Sequence, residues 1–142
     1  MILVDTGPIV ALFDPADESH CACLDVLKSI TEPLGTTTPV LTEAFHLLTP
    51  GSIGCSNLAR YVRDGGLSVW FLGPETLDRA FEVMDAYGDR PMDLADASLV
   101  VMAEAEHLHK VFTIDRADFA TYRIQGGHRH RAFELIGPRA GK

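Results

Sequence analysis

The sequence predicts an α/β fold of three layers, with a mainly parallel sheet of about five strands covered by helices on both faces. Two observations predict it. Short apolar or β-branched runs alternate with stretches of helical spacing along the whole chain, and proline or glycine marks many of the joins. No internal repeat, low-complexity tract or linker breaks this alternation, so residues 1–142 read as one domain with one core.

Residues 2–5, ILVD, form a short apolar run and predict the first strand. Pro8 suits a first helical turn, which places a helix over about 8–13. Cys21, Leu24, Leu27 and Ile30 carry helical spacing across residues 17–32. The β-branched TTT at 36–38 predicts the second strand. Thr38 as cap and Pro39 behind it then open a helix to about Leu48. A helix over 55–64 closes at Gly65-Gly66, and LSVWFL at 67–72 predicts the third strand. Pro74 opens a helix to about Tyr87, and another runs from about Asp93 to His107. KVFTID at 110–115 predicts the fourth strand, a loop follows Gly126-Gly127, and AFELI at 132–136 predicts the fifth.

Composition narrows the classes of function. The most apolar stretches, at 9–13 and 98–103, fall far short of the roughly 20 residues that span a bilayer. MILVD enters a strand at once, without a basic region or cleavage site, so export is not expected. Three cysteines, Cys21, Cys23 and Cys55, are an odd number and suit a reducing, cytoplasmic setting. A net charge of −8 argues at first against a nucleic-acid partner. Yet residues 116–142 hold six basic residues against two acidic ones, a net +4, which leaves the first 115 residues at −12. Such a tail is either a solvated segment or a hold on phosphates beside an acidic site.

Parallel strands share one carboxyl edge, where such folds place their sites. Asp5 ends the first strand and Asp115 the fourth, while Glu43 lies early in the helix leaving the second. The helix over 93–107 feeds the fourth strand and so starts at the same edge, bringing Asp93 and Asp96 there. Two unit charges 4 Å apart repel by about 4 kcal/mol at an effective dielectric near 20. A cluster of this kind takes up protons or cations, and hard ions such as Mg²⁺ or Mn²⁺ prefer oxygen ligands. Each acid alone also has an ordinary explanation. Asp5 could cap a turn, Glu43 could answer a helix dipole, Asp93 and Asp96 could form an acidic capping box, and Asp115 could begin an Asx-turn. Convergence on one edge is what favours a site.

ILVDTGPIVALFD at 2–14, TEAFHLL at 42–48, MDLADASLVVMAE at 92–104 and VFTIDRADF at 111–119 together resemble the four motif blocks of PIN-domain nucleases. They most resemble the VapC-type toxins of bacterial toxin–antitoxin pairs. The resemblance implies a PIN-like fold and a catalytic set of Asp5, Glu43, Asp96 and Asp115. In that set Asp5, Asp96 and Asp115 hold the metal and Glu43 orients or deprotonates the attacking water, with Asp93 an additional acid of some members. Thr6, Ser98 and Thr113 match supporting hydroxyl positions. The resemblance further implies Mg²⁺- or Mn²⁺-dependent cleavage of RNA, a homodimer, and a small cognate antitoxin that covers the site. Arg116, Arg123, Arg129 and Arg131 are the candidates for RNA contact.

Other motifs carry less. Asp5-Thr6-Gly7 matches the aspartic-protease triplet, but those enzymes are β-rich and need a second triplet that this chain lacks. A phosphatase with a strand-end nucleophile wants an acid two residues on, where Gly7 stands. His20-Cys21-Ala22-Cys23 lacks a partner pair for zinc, and Cys21 fits the apolar stripe of its helix. His107 and His109 flank a helix end, His128 and His130 sit among arginines, and Trp70 reads as core. A PIN-like module that binds RNA or a partner without cutting it remains the rival from another class. The apolar faces at 9–13 and 21–30 offer a surface for a partner helix, which core packing explains equally well.

Overall fold

The computed structural model describes residues 1–139. The chain runs β1 (Ile2–Val4), α1 (Thr6–Phe13), α2 (His20–Ser29), β2 (Leu34–Thr37), α3 (Thr38–Leu47) and α4 (Ile53–Arg63). It continues through β3 (Ser68–Trp70), α5 (Pro74–Ala86), α6 (Leu94–Glu106), β4 (Lys110–Phe112) and α7 (Arg116–Thr121). It ends in β5 (Arg123–Gly126), β6 (Arg129–Ala132) and β7 (Glu134–Ile136).

Five strands form one all-parallel sheet in the order β3-β2-β1-β4-β7, flanked by helices. Parallel strands covered on both faces read as unbroken apolar runs rather than alternating ones. Ile2, Leu3 and Val4 of the central strand are accordingly all buried. Helix α6 obeys the same logic. Ala95 and every residue from Ala97 to Ala103 are buried, so its apolar character runs around the helix instead of along one stripe. From β1 the chain builds outward through β2 to β3, then returns to β1's other side to lay down β4 and β7. Strand order therefore reverses between β1 and β4, and a parallel sheet opens its ligand crevice at the carboxyl ends of such a pair.

The expected order of elements holds, with local corrections. Helix α1 starts at Thr6 rather than Pro8, because the Asp5 side chain caps it. Thr37, not Thr38, caps α3: its hydroxyl accepts from the Val40 amide at 3.4 Å, and the strand ends there. Helix α2 is shorter than 17–32, since Asp14 and Asp17 accept from the amides of Ala16 and Ser19 and hold the preceding chain in turns. Its inward stripe is Cys23, Val26, Leu27 and Ile30; Cys21 is exposed. The fourth strand stops at Phe112, and α7 occupies residues to which the sequence pattern assigned no element. The loop expected after Gly126 is instead the turn of an antiparallel hairpin, β5–β6, with Gly127 at φ +60° as its first turn residue. Its polar strands, RIQG and RHRA, give no apolar alternation to reveal them. β7 covers 134–136 of the expected 132–136.

A parallel sheet flanked by helices is not the β-rich body of an aspartic protease, and Thr6 and Gly7 of the triplet lie inside α1. All three cysteines are free, and Trp70 packs against the core. Among the described residues no helix is long and apolar enough to cross a membrane. Lys142 of the basic tail lies outside the described residues.

Candidate active site

The β1–β4 switch point carries a dense knot of hydrogen bonds. Asp5 leaves β1 with its amide on the Phe112 carbonyl at 3.0 Å. Its Oδ1 accepts from the Thr6 amide at 2.8 Å and its Oδ2 from the Thr113 hydroxyl at 3.0 Å. The Thr113 oxygen in turn accepts from the Asp115 amide at 2.9 Å, so one buried hydroxyl links the acids at the ends of β1 and β4. Asp93 is the N-cap of α6, and its Oδ1 accepts from the Asp96 amide at 2.8 Å. This is the capping reading of Asp93, achieved without taking the Asp96 side chain out of the site. The Oδ2 of Asp96 accepts instead from the Tyr122 phenol at 2.8 Å. Glu43, half-buried on α3, faces the same space.

The acids of this knot line a cavity of about 940 Å³. Asp5, Glu43, Asp93, Asp96 and Asp115 are joined there by Asp17, Glu18 and Asp118, and among the described residues no lysine, arginine or histidine lines the wall. Three acids of the set, Asp17, Glu18 and Asp118, were not anticipated; Asp118 follows Asp115 by one turn of α7, a helix the sequence pattern did not reveal. Asp118 is held from behind by Arg90, with Nη2 2.6 Å from its Oδ1.

Burial and mutual repulsion leave their mark on the acids. Asp5 is pushed up to about 6 by burial, against the hydrogen bonds from Thr6 and Thr113, with the charges of Asp115 and Asp93 adding to the rise. Asp96 is pushed up to about 8, by burial first and then by the charges of Asp5 and Asp93. Asp115 is also raised, by burial and by its contact with Asp118, which Asp115 and Arg90 together hold low. Burial and the facing Asp96 keep the Tyr122 phenol far above its ordinary range, so it donates to the carboxylate.

The supporting hydroxyls divide three ways. Thr113 joins Asp5 to Asp115. The Thr6 hydroxyl is buried with no hydrogen-bond partner among the described residues, at a residue that lines the cavity. Ser98 does not line the cavity; its hydroxyl lies 2.6 Å from that of Thr37 and donates to the Ala95 carbonyl, clamping α3's cap to α6. The arginines are spread more widely. Arg116 lies beside Asp115 and donates to the Gly137 carbonyl at 3.4 Å. Arg123 spends its guanidinium on the carbonyls of Ala120, Thr121 and Tyr122. Arg129 and Arg131 line a separate cavity of about 510 Å³ with His107 and His130, beside the carboxyl end of α6.

The donor set fits a hard divalent ion. It is all oxygen, faces no competing cation among the described residues, and has three acids, Asp5, Asp96 and Asp115, whose affinity for protons is raised by burial first and by neighbouring carboxylates after it. Among the described residues no three His, Cys, Asp or Glu side chains stand close enough to form a complete shell. A hard ion held by few carboxylates completes its sphere with water.

An acid-lined crevice at the switch point of a parallel sheet defines a class of α/β domain suited to divalent ions. The chain belongs to the PIN domain family, whose family model matches residues 2–124; PIN nucleases are in general dependent on divalent metals. The chain is 27% identical over 131 residues to the ribonuclease VapC26 of Mycobacterium tuberculosis, covering 90% of this chain and 96% of that protein. Its fold is that of the crystal structure of M. tuberculosis VapC20, a sarcin–ricin loop cleaving toxin, with a TM-score of 0.72 at 20% identity over 82% of this chain and 91% of that one. It is also similar to VapBC2 from Rickettsia felis bound to promoter DNA, with a TM-score of 0.59 at 15% identity over 96% and 99% of the two chains.

Proposed function

We propose that this protein is a metal-dependent endoribonuclease that hydrolyses RNA phosphodiester bonds as the toxin of a toxin–antitoxin pair. The observation that carries the reading is the convergence of acids from β1, α3, α6 and the end of β4 on one cavity that no basic side chain lines among the described residues. The ribonuclease named among its relatives supports the choice of RNA. β7 lies beyond the matched segment yet completes the sheet, which favours one domain over the whole chain.

Asp5, Asp96 and Asp115 would hold Mg²⁺ or Mn²⁺, with Asp93 free to add an oxygen while it caps α6. When bound, the ion supplies positive charge beside the scissile phosphate and makes nearby water more acidic. The protein's own groups do the rest. Thr6 and Thr113 hold the Asp5 carboxylate still, and Thr113 fixes the backbone of Asp115 to it. Glu43, on a different wall, orients the attacking water and takes its proton as the water oxygen bonds to phosphorus; the bridging P–O bond breaks and the leaving oxygen departs as an alcohol with a proton from solvent. Arg116, next to the site, and Arg129 and Arg131, at the far end of α6, contact phosphates of the bound strand; Arg123, occupied by backbone carbonyls, shapes the chain instead.

A small antitoxin and a second copy of the chain complete the assembly in this reading, and three free thiols accord with a cytoplasmic place. The test is cleavage of structured RNA by wild type and Asp5→Asn with Mg²⁺, Mn²⁺ or EDTA. Products from wild type with metal alone, and none from Asp5→Asn, are expected. Tight RNA binding without products from any substrate would favour the non-catalytic module instead.

A further inference from the structure

Tyr122 is out of reach of solvent, at 1% exposure, and its ring is clamped edge-on by Tyr87 and Phe119, with centroids 5.3 and 5.1 Å away. Its amide donates to the Asp118 carbonyl at 3.1 Å, fixing the end of α7. A ring so confined delivers its hydroxyl to one place, and that place is Oδ2 of Asp96. The other oxygen of Asp96 has no hydrogen bond among the described residues, on a side chain that lines the acid cavity.

We propose that Tyr122 is a positioning residue, which occupies one oxygen of Asp96 and so presents the other to a divalent ion. The inference rests on the nuclease reading above and adds to it a residue from outside the acidic set. The choice of donor matters. A lysine or arginine in this place would neutralise Asp96 and compete with the metal, whereas a phenol orients the carboxylate and leaves its charge intact. Partners behind the ligands of a metal site typically hold about 10–100-fold of its affinity.

The test measures Mn²⁺ affinity by calorimetry for wild type, Tyr122→Phe, Asp96→Asn and the double variant. Tyr122→Phe keeps the ring and its two aromatic contacts. We expect it to lose about 10-fold in Mn²⁺ affinity and a comparable factor in kcat at fixed metal, with KM for RNA unchanged. In the Asp96→Asn background the same change should have no further effect. Wild-type Mn²⁺ affinity in Tyr122→Phe, with only a lower Tm, would make Tyr122 a packing residue and overturn the inference while sparing the nuclease reading. Absence of Mn²⁺ binding by wild type would overturn both. A wild-type measurement covers the case in which Tyr122→Phe does not fold. On titration with Mg²⁺, the ring carbon signals of Tyr122 should move and those of distant Tyr61 should not; a Tyr122 signal that stays still overturns the inference.

Discussion

Asp5 and Asp96 are acids held in a place that disfavours their charge. A carboxyl raised by folding binds its proton more tightly in the native state than in the unfolded one, so stability falls as pH climbs between the two values. Unfolded, both residues ionise near 3.8; folded, Asp5 does so near 6 and Asp96 near 8. Without metal, the protein is therefore expected to lose stability steadily from about pH 4 to pH 8, with Asp5 alone accounting for on the order of 3 kcal/mol. Thermal melts across this range in EDTA check it. Asp96→Asn should flatten the upper half of the curve, and millimolar Mg²⁺ should restore the melting temperature at pH 8, because a bound cation replaces the protons. A melting temperature that rises between pH 5 and 8 in EDTA would contradict this account of the site. At the same scale lies what the sequence revealed best. Asp5 and Asp115 follow apolar runs and Asp96 follows a proline-marked helix start, so their edge is readable from periodicity alone. Tyr122 is not, because its contact with Asp96 spans 26 residues and depends on α7, whose six residues carry no clear apolar stripe.

At the scale of elements, the site depends on how strand ends and helix starts are pinned. Thr37 caps α3 and meets Ser98 of α6, so the wall bearing Glu43 is tied to the wall bearing Asp96 by a buried pair of hydroxyls. The family resemblance implies a supporting role for Ser98 beside the metal site; in the fold its hydroxyl makes this clamp. With the Ser98 hydroxyl donating to Ala95, Thr37 is the donor of the pair; Ser98→Ala leaves its buried hydroxyl proton without an acceptor and should cost about 1–3 kcal/mol in denaturant unfolding. The end of β7 acts on the site from the other side. Gly137 sits at φ +147°, and a Cβ there would come within 2.2 Å of the Thr113 carbonyl oxygen. Gly137→Ala must push β7 away from Thr113, the residue that joins Asp5 to Asp115. A loss of activity larger than the loss of stability is expected, seen by comparing kcat with unfolding free energy. The β5–β6 hairpin escaped the sequence pattern because its strands are polar on both faces, so nothing in their alternation sets them apart from a loop.

For the molecule as a whole, charge is divided between an acid cavity and a basic hairpin. The body that carries the carboxylates repels RNA unless cations intervene, and Arg129 and Arg131 stand at the opposite end of α6 from Asp96. Replacing both by alanine should raise KM for RNA several-fold, leave kcat alone and flatten the dependence of KM on salt. Arg123→Ala should instead lower stability with little effect on that salt dependence, because its guanidinium serves three backbone carbonyls. Kinetics at several salt concentrations separate the two. The parallel topology was legible because buried strands and helices alternate in the residue pattern. The strand order was not, since only the paired backbones decide which neighbour β4 takes.

The most direct measurement is an anomalous diffraction map from crystals soaked in Mn²⁺. The expected result is a peak among the carboxylates of Asp5, Asp96 and Asp115, absent from the same map of Asp5→Asn. An empty cavity at saturating Mn²⁺, or a peak only on residues remote from these three, would contradict the account.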